Sequence, residues 1–290
     1  MTGAVSTSEA PSVSVVMPAF NAEEYIVGQL AAIVAQEWSG GIELIVADNG
    51  SSDATARLAA DAGAHVVDAS HRRGPGAARN AGAAVAGGAV LVFVDADDLI
   101  DPGYVAAMVA ALADADVVGS RVDQQLLNPG WSSDVRTIAQ HDALPEFNPG
   151  RPWIYGATLA MRRETFAAVG GFDESLEASE DFDFSIRCHL MGLRFAFVPD
   201  AVVHCRLRTD LRSVFRQGLY YGKGGGQIDL KYRREGAPYP NIETSKRAMP
   251  RVFLASLWRL LIARGTAARG SALFLVGRRL GTIGTWLRRK

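Results

Sequence analysis

Short apolar runs recur at intervals along the first hundred residues. Four of them have the length of a strand, at 13–17, 43–47, 65–67 and 89–94. The last run is apolar throughout, which is typical of a strand that is buried on both faces of a sheet. The pattern therefore predicts four strands, the fourth of them deeply buried.

The stretches between these runs have apolar residues at helical spacing. Helices are predicted at 22–36, 53–62 and 77–86, and Gly63 is placed to end the second of them. Strands that alternate with helices are joined by crossover connections, which favour parallel pairing. We therefore predict a Rossmann-like α/β fold with a doubly wound, mostly parallel sheet.

The middle of the chain has a weaker pattern. It predicts further strands at 117–118, 156–161 and 195–198, and further helices at 102–112 and 181–190. Residues 123–152 mix Pro, Gly, Asn and Asp with few apolar runs, which predicts a long loop or an inserted segment. Long loops in compact domains are often binding surfaces.

The C-terminal part of the chain is strongly basic. Residues 204–290 carry 19 Lys and Arg against 4 Asp and Glu, and 11 basic residues but no acidic residue follow Glu243. Two apolar stretches in this part, 252–263 and 272–276, are shorter than the roughly 20 residues that span a bilayer. Such helices either pack on the acidic remainder of the chain or lie on a membrane surface, and we predict binding to anionic membrane.

Composition and charge indicate the class of protein and its expected location. The chain is 48% hydrophobic with a net charge of −1, which indicates a globular protein, and no nucleic-acid partner is expected. We predict a flexible N-terminus at 1–11, one large domain at 12–231 and a basic helical extension at 232–290. Two cysteines are too few for a disulfide framework, and residues 1–11 carry no readable secretory signal. The expected location is therefore cytoplasmic, with peripheral attachment at the inner membrane face.

Polar residues and turn formers follow three of the predicted strands. Residues 18–21 follow the first strand, 48–53 follow the second and 95–98 follow the fourth. In an open parallel sheet, ligands bind beyond the carboxyl ends of the strands. These three segments are therefore expected to meet in one ligand-binding crevice.

The sharpest of these segments is the run of carboxylates at 95–98. Carboxylates that are held close together repel one another, and a hard divalent cation relieves this repulsion. We therefore predict that Asp95 and Asp97 serve Mg²⁺ or Mn²⁺, whose other ligands are substrate phosphates and water. Asp98 and Asp101 are instead expected to cap the helix that follows.

Six short motifs occur in a fixed order between Val13 and about Gly224. They are Pro18-Ala-Phe-Asn21, Asp48-Asn-Gly-Ser-Ser-Asp53, Ala78-Arg79-Asn80-Ala-Gly82, Asp95-Ala-Asp97, Gly170-Gly-Phe-Asp173 and Glu180-Asp181 with Arg187 behind it. Each motif is modest alone, but together they resemble the family 2 glycosyltransferases. The resemblance implies a GT-A fold, a nucleotide-sugar donor and inverting transfer to an acceptor hydroxyl.

The resemblance also implies roles on the nucleotide side. Asp48 would hydrogen-bond the nucleobase in a pocket that Pro18 and Asn21 shape, and Arg79 would reach the base or the diphosphate. Asn49 stands where the family usually has a second aspartate. This departure weakens any role in donor binding that requires a carboxylate there.

Further roles concern the metal and the two substrates. Asp97 would ligate the metal, and Asp95 would hold the ribose or the sugar of the donor. His204 would complete the metal shell, although lone histidines near strand ends are more often structural. The expected donor is a nucleoside-diphosphate sugar, usually a UDP-sugar in this family, and the expected acceptor is a saccharide or a lipid-linked molecule.

The pair Glu180 and Asp181 suits the remaining task. Inverting transfer needs one carboxylate that accepts the proton of the acceptor hydroxyl as that oxygen attacks the anomeric carbon. The resemblance assigns this general base to Asp181. On spacing alone, Ser179 or Glu180 could instead be a helix cap.

Three other functions fit the sequence less well. The glycines around Pro75 lack the G-x-G-x-x-G spacing and do not follow a strand, which argues against a dinucleotide-dependent oxidoreductase. A sugar-nucleotide pyrophosphorylase would need a glycine-rich loop at 18–21. An inactive sugar-nucleotide-binding or scaffold protein is the remaining alternative, and the presence of Asp95, Asp97 and Asp181 argues against it.

Overall fold

The computed structural model describes residues 10–128, 130, 134–135, 139–235 and 248–288. Its strands are β1 (Val13–Ala19), β2 (Ile42–Asp48), β3 (His65–Asp68), β4 (Val90–Phe93), β5 (Leu99–Ile100), β6 (Val117–Asp123), β7 (Glu146–Asn148), β8 (Arg151–Pro152), β9 (Leu159–Arg162) and β10 (Phe195–His204). Its helices are α1 (Ile26–Val34), α2 (Thr55–Asp61), α3 (Pro75–Val85), α4 (Tyr104–Ala111), α5 (Arg163–Val169), α6 (Glu180–Leu190), α7 (Leu211–Glu235), α8 (Met249–Ile262) and α9 (Thr266–Leu287). Most of the N-terminus expected to be flexible lies outside the described residues.

The main sheet has the strand order β3-β2-β1-β4-β9-β6-β10-β5. The pairs of β1 with β2 and β4, of β2 with β3, and of β6 with β10 are parallel. In contrast, β9 runs antiparallel to β4 and β6, and β5 runs antiparallel to β10. The prediction of a mostly parallel α/β sheet is therefore confirmed. The exception at β9 follows an inserted segment rather than a helical crossover, which removes the constraint toward parallel pairing.

The core lies on both faces of this sheet. On one face, Val15 and Val92 pack with side chains of α1 and α4, among them the fully buried Ile26 and Tyr104. On the other face, Phe93 contacts Phe166 and Phe172, at ring-centroid distances of 5.3 and 5.6 Å. Successive residues of β4 therefore serve opposite faces, as expected for a strand that is buried on both sides.

Several predicted boundaries differ from the structure. Helix α1 begins at Ile26 rather than at 22, because the N–H group of Ala22 is bonded to Thr55 Oγ1 and the chain forms a turn there. The predicted strand at 156–161 begins with a 3₁₀ turn and becomes β9 only at Leu159. The predicted loop at 123–152 contains the short β7–β8 hairpin, and part of that loop lies outside the described residues.

Helix α7 is missing from the sequence-based prediction because it is rich in glycine. Its five glycines cost about 4–5 kcal/mol of helix stability relative to alanine. Gly218 and Gly222 face the backbone of α9 at Phe274 and Arg278, where an added Cβ would collide with a carbonyl oxygen. The two helices therefore run parallel in close contact, and this packing offsets the poor helix propensity. The domain boundary expected after 231 falls inside α7.

Helix α8 is packed differently. Met249 and Ser256 are buried, but Leu254, Trp258 and Leu261 are 63%, 63% and 80% exposed. These three residues follow helical spacing, so they form one apolar stripe on the surface. Among the described residues, no helix has both the length and the hydropathy that a membrane span requires.

Candidate functional site

The carboxyl ends of β1, β2 and β4 meet around a cavity of about 620 Å³. Its wall includes Pro18 and Asn21 after β1, Asn49 after β2, and Asp95 and Asp97 after β4. We call this space the nucleotide-side cavity. The predicted convergence of the three polar segments on one crevice is therefore seen in the structure.

Asn21 joins the first two of these segments. Its backbone has a left-handed conformation with φ of 49°, which is uncommon for a residue with a side chain. Its side-chain oxygen accepts the N–H group of Ser52 at 2.8 Å, and its own N–H group donates to Ser51 Oγ at 2.9 Å. The turn after β1 is thereby fixed to the turn after β2.

Asp48 and Asn49 have different tasks. Both carboxylate oxygens of Asp48 accept the N–H group of Ser51 at 3.2 Å, and Asp48 is not part of the cavity wall. The buried Asn49 donates through Nδ2 to the carbonyl oxygens of Ala69 and Arg72, at 2.6 and 2.8 Å. An aspartate could not donate these bonds, so an amide at position 49 has a structural reason.

Two residues of the cavity wall received no individual role at the sequence level, although Phe20 lies in the predicted segment 18–21. Phe20 is 51% exposed, and the guanidinium of Arg73 lies 4.5 Å from the centre of its ring. Both side chains line the nucleotide-side cavity. An exposed aromatic ring directly after β1 offers a flat apolar surface at the expected place of a base, and the position of Phe20 after a strand is the signal that could have revealed it.

Asp95, Asp97 and Asp98 form an acidic cluster in which one oxygen of each lies within 4.8 Å of the others. Burial and the neighbouring Asp95 raise the pKa of Asp97, and burial with Asp97 raises the pKa of Asp98 well above its usual range. Three hard oxygen ligands at this spacing fit Mg²⁺ or Mn²⁺, which would relieve this repulsion. The donor set therefore fits the predicted cofactor.

The helix-capping role expected for Asp98 and Asp101 is wrong. Helix α4 is preceded by Gly103, and no side chain caps it. Asp98 instead accepts the N–H group of Arg206 at 2.9 Å, which ties the acidic cluster to the segment after β10. Asp101 Oδ1 lies 2.9 Å from His204 Nε2, within hydrogen-bonding distance.

His204 lies apart from the acidic cluster. Its two ring nitrogens face the carboxylates of Asp101 and Asp123, at 2.9 and 3.0 Å. These contacts fasten the end of β10 to β6 and to the segment that follows β5. Both nitrogens are thus engaged within the protein, and the geometry gives no support to the predicted place of His204 in the metal shell.

A second cavity, of about 310 Å³, adjoins the first. Glu180 and Asp181 line only this second space, whereas Asp95 and Asp97 line both. Tyr155 also belongs to its wall. We call this second space the base-side cavity, after the candidate general base Asp181. The carboxylates at 95 and 97 therefore stand on the border between the two spaces.

The buried side chain of Arg79 connects the residues of the two cavities. It is 3% exposed, and its two terminal nitrogens contact Asp95 Oδ1 and Glu180 Oε1, both at 2.7 Å. Both guanidinium ends are therefore occupied by the protein's own carboxylates. The sequence predicts a contact with the base or the diphosphate, but the structure instead makes Arg79 the link between the acidic cluster and the Glu180–Asp181 pair.

The two members of that pair have unlike surroundings. Burial and the Asp181 carboxylate raise the pKa of Glu180 to about 7, against the attraction of Arg79. Burial also raises the pKa of Asp181, although the N–H groups of Gly156 and Phe182 donate to it at 3.0 and 2.8 Å. Asp181 is half-buried and makes no direct ion pair with any described residue, although the charge of Arg79 attracts it. It is therefore better placed than Glu180 to receive a proton.

Two basic side chains, Arg206 and Arg208, lie next to Asp97 at the border between the two cavities. The Arg206 guanidinium lies 4.3 Å from the ring centre of Tyr25, and its Nε donates to the carbonyl oxygen of Asp97 at 3.2 Å. Arg208 lies 3.9 Å from Asp97 Oδ2, its side chain is 52% exposed, and it lines both cavities. An anionic group on the border would meet this cation.

Comparison with known proteins agrees with this arrangement. The family model described as Glycosyl transferase family 2 matches residues 14–170, which is more than half of the chain. The pre-mycofactocin glycosyltransferase of Mycobacterium tuberculosis is 27% identical over 211 residues, covering 68% of this chain. The chain spans 44% of the length of that relative.

Two solved structures have a similar fold. The mannosyltransferase PcManGT from Pyrobaculum calidifontis, in complex with GDP-Man and Mn²⁺, matches with a TM-score of 0.67 and 19% identity, over 98% of this chain and 89% of that one. Residues 1–349 of S. aureus TarS, in complex with UDP-GlcNAc, match with a TM-score of 0.54 and 16% identity, over 94% and 91% of the two chains. At these identities, the likeness establishes a shared fold.

Proposed function

The chain belongs to the family 2 glycosyltransferases and has the GT-A fold, and from this premise we propose that it transfers a sugar from a nucleoside-diphosphate sugar to an acceptor hydroxyl with inversion. One observation carries the proposal. The two cavities meet at Asp95 and Asp97, with Asp181 on the far side of that border from the nucleotide-side cavity. A donor in the first space and an acceptor in the second would face each other there.

On the nucleotide side, the nucleobase would lie against Phe20, between the turn from Pro18 to Asn21 and the end of β2. Asn49 would act through this pocket wall and Asp48 through its own loop, since their polar atoms bind the protein's own backbone. PcManGT was solved with a GDP-sugar and TarS with a UDP-sugar. The family's usual preference makes a UDP-sugar our first choice of donor.

Asp97 and Asp95, with Asp98 beside them, would hold Mg²⁺ or Mn²⁺. When bound, the ion supplies a positive charge that stabilises the departing diphosphate. Arg208 adds a second cation at the same border, and Arg79 keeps Asp95 in place from below. These side chains thus concentrate positive charge where negative charge develops.

On the base side, Asp181 would accept the proton of the acceptor hydroxyl. The Gly156 N–H group holds one of its oxygens, which fixes the direction of the carboxylate. Arg79 pairs directly with Glu180 and acts on Asp181 only through the attraction of its charge, so Asp181 keeps the freer carboxylate of the pair. The attack from the base side and the departure on the nucleotide side would be in line, which gives inversion.

A donor panel tests the proposal and separates it from the inactive alternative. The protein is incubated with UDP-GlcNAc, UDP-glucose or GDP-mannose and Mn²⁺, and the release of nucleoside diphosphate is measured with and without EDTA. We expect release from at least one donor and its loss in EDTA. Tight binding of UDP or GDP in calorimetry without any turnover would instead support the binding or scaffold protein.

We also propose that α8 binds an anionic membrane surface and brings the enzyme to lipid-linked acceptors. Leu254, Trp258 and Leu261 form its exposed apolar stripe, and the exposed Arg251 and Arg259 lie on the same helix. Lys and Arg near an anionic surface each contribute about 1 kcal/mol. In contrast, α9 is held by glycine contacts against α7, so only part of the tail is available for a membrane.

Vesicle co-sedimentation tests this second proposal. The full chain should bind phosphatidylserine-containing vesicles in low salt and should not bind pure phosphatidylcholine. Replacing Trp258 and Leu261 by serine should abolish binding, whereas Leu280→Ser, an exposed position on α9, should not. Equal binding by both variants, or no binding by the parent protein, would contradict a role for the α8 stripe.

A further inference from the structure

Helix α7 presents one face to the segment that leads into the catalytic pair. Tyr220 Oη donates to the carbonyl oxygen of Glu177, and Gln227 Oε1 accepts the N–H group of Glu177 at 3.1 Å. Lys223 Nζ lies 3.6 Å from the carboxylate of the same residue. Residues 220, 223 and 227 share one side of a helix, so α7 holds Glu177 at three points.

The backbone just beyond Glu177 is strained. Ser179 directly precedes Glu180 and has φ of 65°, in the left-handed region that side chains disfavour. No side chain caps the helix that starts after it. A residue in this conformation persists when its surroundings impose it. Asp183 of α6 donates its N–H group to the carbonyl oxygen of Ser179, and α7 meets the same turn from its own side.

Gly224 is the point of closest approach between α7 and this strained turn. A Cβ at 224 would lie below 3.0 Å from the carbonyl oxygen of Ala178 and 2.7 Å from Ser179 Oγ. Real Cβ atoms essentially never come this close to a neighbour, so the turn could not stay where it is. Gly225, the next residue of the same helix, has no atom of the described residues within 4 Å of its added Cβ.

The same side of α7 also holds the helix that carries the pair. Lys231 Nζ contacts the carboxylates of Asp173 and Asp183, at 2.7 and 2.6 Å, and Tyr232 Oη donates to Asp183 at 2.9 Å. Asp183 is fully buried and lies one turn into α6. Helix α7 therefore grips α6 on both sides of Asp181.

We propose that α7 is a positioning element for the general base, with Gly224 and Gln227 setting where the turn before Asp181 lies. The inference rests on the proposed role of Asp181 but assigns a task to a helix outside the residues that match the family model. Gly224 touches neither substrate cavity, so it acts through Ser179 and Glu180 on the direction of the Asp181 carboxylate.

The test compares Gly224→Ala with Gly225→Ala in the full chain. Both changes give the same gain in helix propensity, so their difference isolates the contact with residues 178–179. Turnover is measured as nucleoside diphosphate released from UDP-GlcNAc or GDP-mannose, whichever is faster. Because a misplacement of about 1 Å can cost about 100-fold, we expect kcat of Gly224→Ala to fall roughly 10- to 100-fold. Gly225→Ala should match the parent.

Calorimetry with UDP or GDP and Mn²⁺ measures affinity and stoichiometry. Unfolding of part of the protein would lower the stoichiometry, whereas a misplaced Asp181 would not. Gly224→Ala should keep the parent's one-site stoichiometry and lose less affinity than turnover, since Gly224 itself lies outside the nucleotide-side cavity and only Glu177 and Tyr220 of its neighbourhood line it. Gln227→Leu, which removes the acceptor of the Glu177 N–H group without adding bulk at the turn, should lower kcat in the same direction by less.

Distinct outcomes would overturn the two proposals. If Gly224→Ala and Gln227→Leu both turn over like the parent while Asp181→Asn is impaired, the positioning role of α7 is wrong and the base assignment stands. If Asp181→Asn itself is unimpaired, the proposed mechanism fails first. Lost stoichiometry in calorimetry for both variants would assign α7 to stability rather than to positioning.

Discussion

The two halves of the site share Asp95 and Asp97, yet they are built in different ways. Most of the nucleotide side is made from the ends of neighbouring parallel strands and the loops that follow them, with Glu177, Arg208 and Tyr220 added from elsewhere in the chain. The base side is assembled from the 3₁₀ turn at Gly156–Thr158, α6, α7 and the segment after β10, which come from distant parts of the chain. The strand ends of the sheet thus determine most of the nucleotide side, whereas the packing of helices and turns against the sheet determines the base side.

This difference has a mechanical consequence. The nucleotide-side residues are supported by backbone hydrogen bonds of the central sheet, which are difficult to perturb with one substitution. Asp181 depends on a strained turn, one N–H group of Gly156 and the grip of α7. Substitutions on the base side should therefore change turnover, and those on the nucleotide side should change binding or stability.

The largest expected effect is that of Asp181→Asn. The amide keeps the shape of the side chain but cannot accept the proton, so kcat should fall by roughly 10²–10⁴. The affinity for UDP or GDP with Mn²⁺ should stay close to that of the parent. Normal turnover would move the base to Glu180, since Asp183 is fully buried and bonded to Lys231 and Tyr232.

Asp97→Ala should act on the other half. Losing an interaction with a charged group is worth about 1.5–3 kcal/mol, so diphosphate affinity in Mn²⁺ should weaken about 10- to 100-fold. Asp48→Ala should weaken it far less, since Asp48 binds its own loop and does not line the cavity. Calorimetry on both variants decides the point, and equal losses would contradict the metal role of Asp97.

Asn49→Asp would restore the carboxylate that the family usually has. The carbonyl oxygens of Ala69 and Arg72 would lose their donors, and unsatisfied buried groups cost about 1–3 kcal/mol. We therefore expect a lower free energy of unfolding with little change in kcat, as measured by denaturant titration and by donor turnover. An unchanged stability together with improved donor affinity would show that position 49 belongs to the donor site.

The smallest effect concerns pH. The pKa of Glu180 is raised to about 7, and that of Asp181 is also raised, so the pair takes up a proton as the pH falls from about 7. Because the base must be deprotonated, kcat should decrease toward acid pH. Removing the neighbouring negative charge with Glu180→Gln should shift this decrease to lower pH. A profile that stays flat down to pH 5 would contradict the coupling.

The sequence predicts the nucleotide-side half well, because its information is local. Strand periodicity locates β1, β2 and β4, and the residues just after them are those that line the cavity. The acidic cluster follows in the same way, including its fit to a divalent ion. What the local pattern misses there is orientation: it cannot tell that Arg79 turns toward Asp95 and Glu180 rather than toward the donor.

The base-side half is predicted only in part. The motif order identifies Glu180 and Asp181, but no periodicity predicts α7, whose glycines favour a loop by propensity alone. Those glycines are explained by the backbone of α9 and by the turn at Ser179, both far away in sequence. The surroundings of His204 are hidden from the sequence for the same reason, since its partners Asp101 and Asp123 lie on separate segments.

The contact between α7 and α9 also sets an order of events during synthesis. Synthesis delivers the N-terminal strands first, at about 5–20 residues per second. The strands of the nucleotide side are complete once β4 has been made, whereas the turn before Asp181 needs α7, and α7 needs α9, which ends at Leu287. We therefore expect the strands of the nucleotide side to pair in a nascent chain before α7 holds the turn that precedes Asp181.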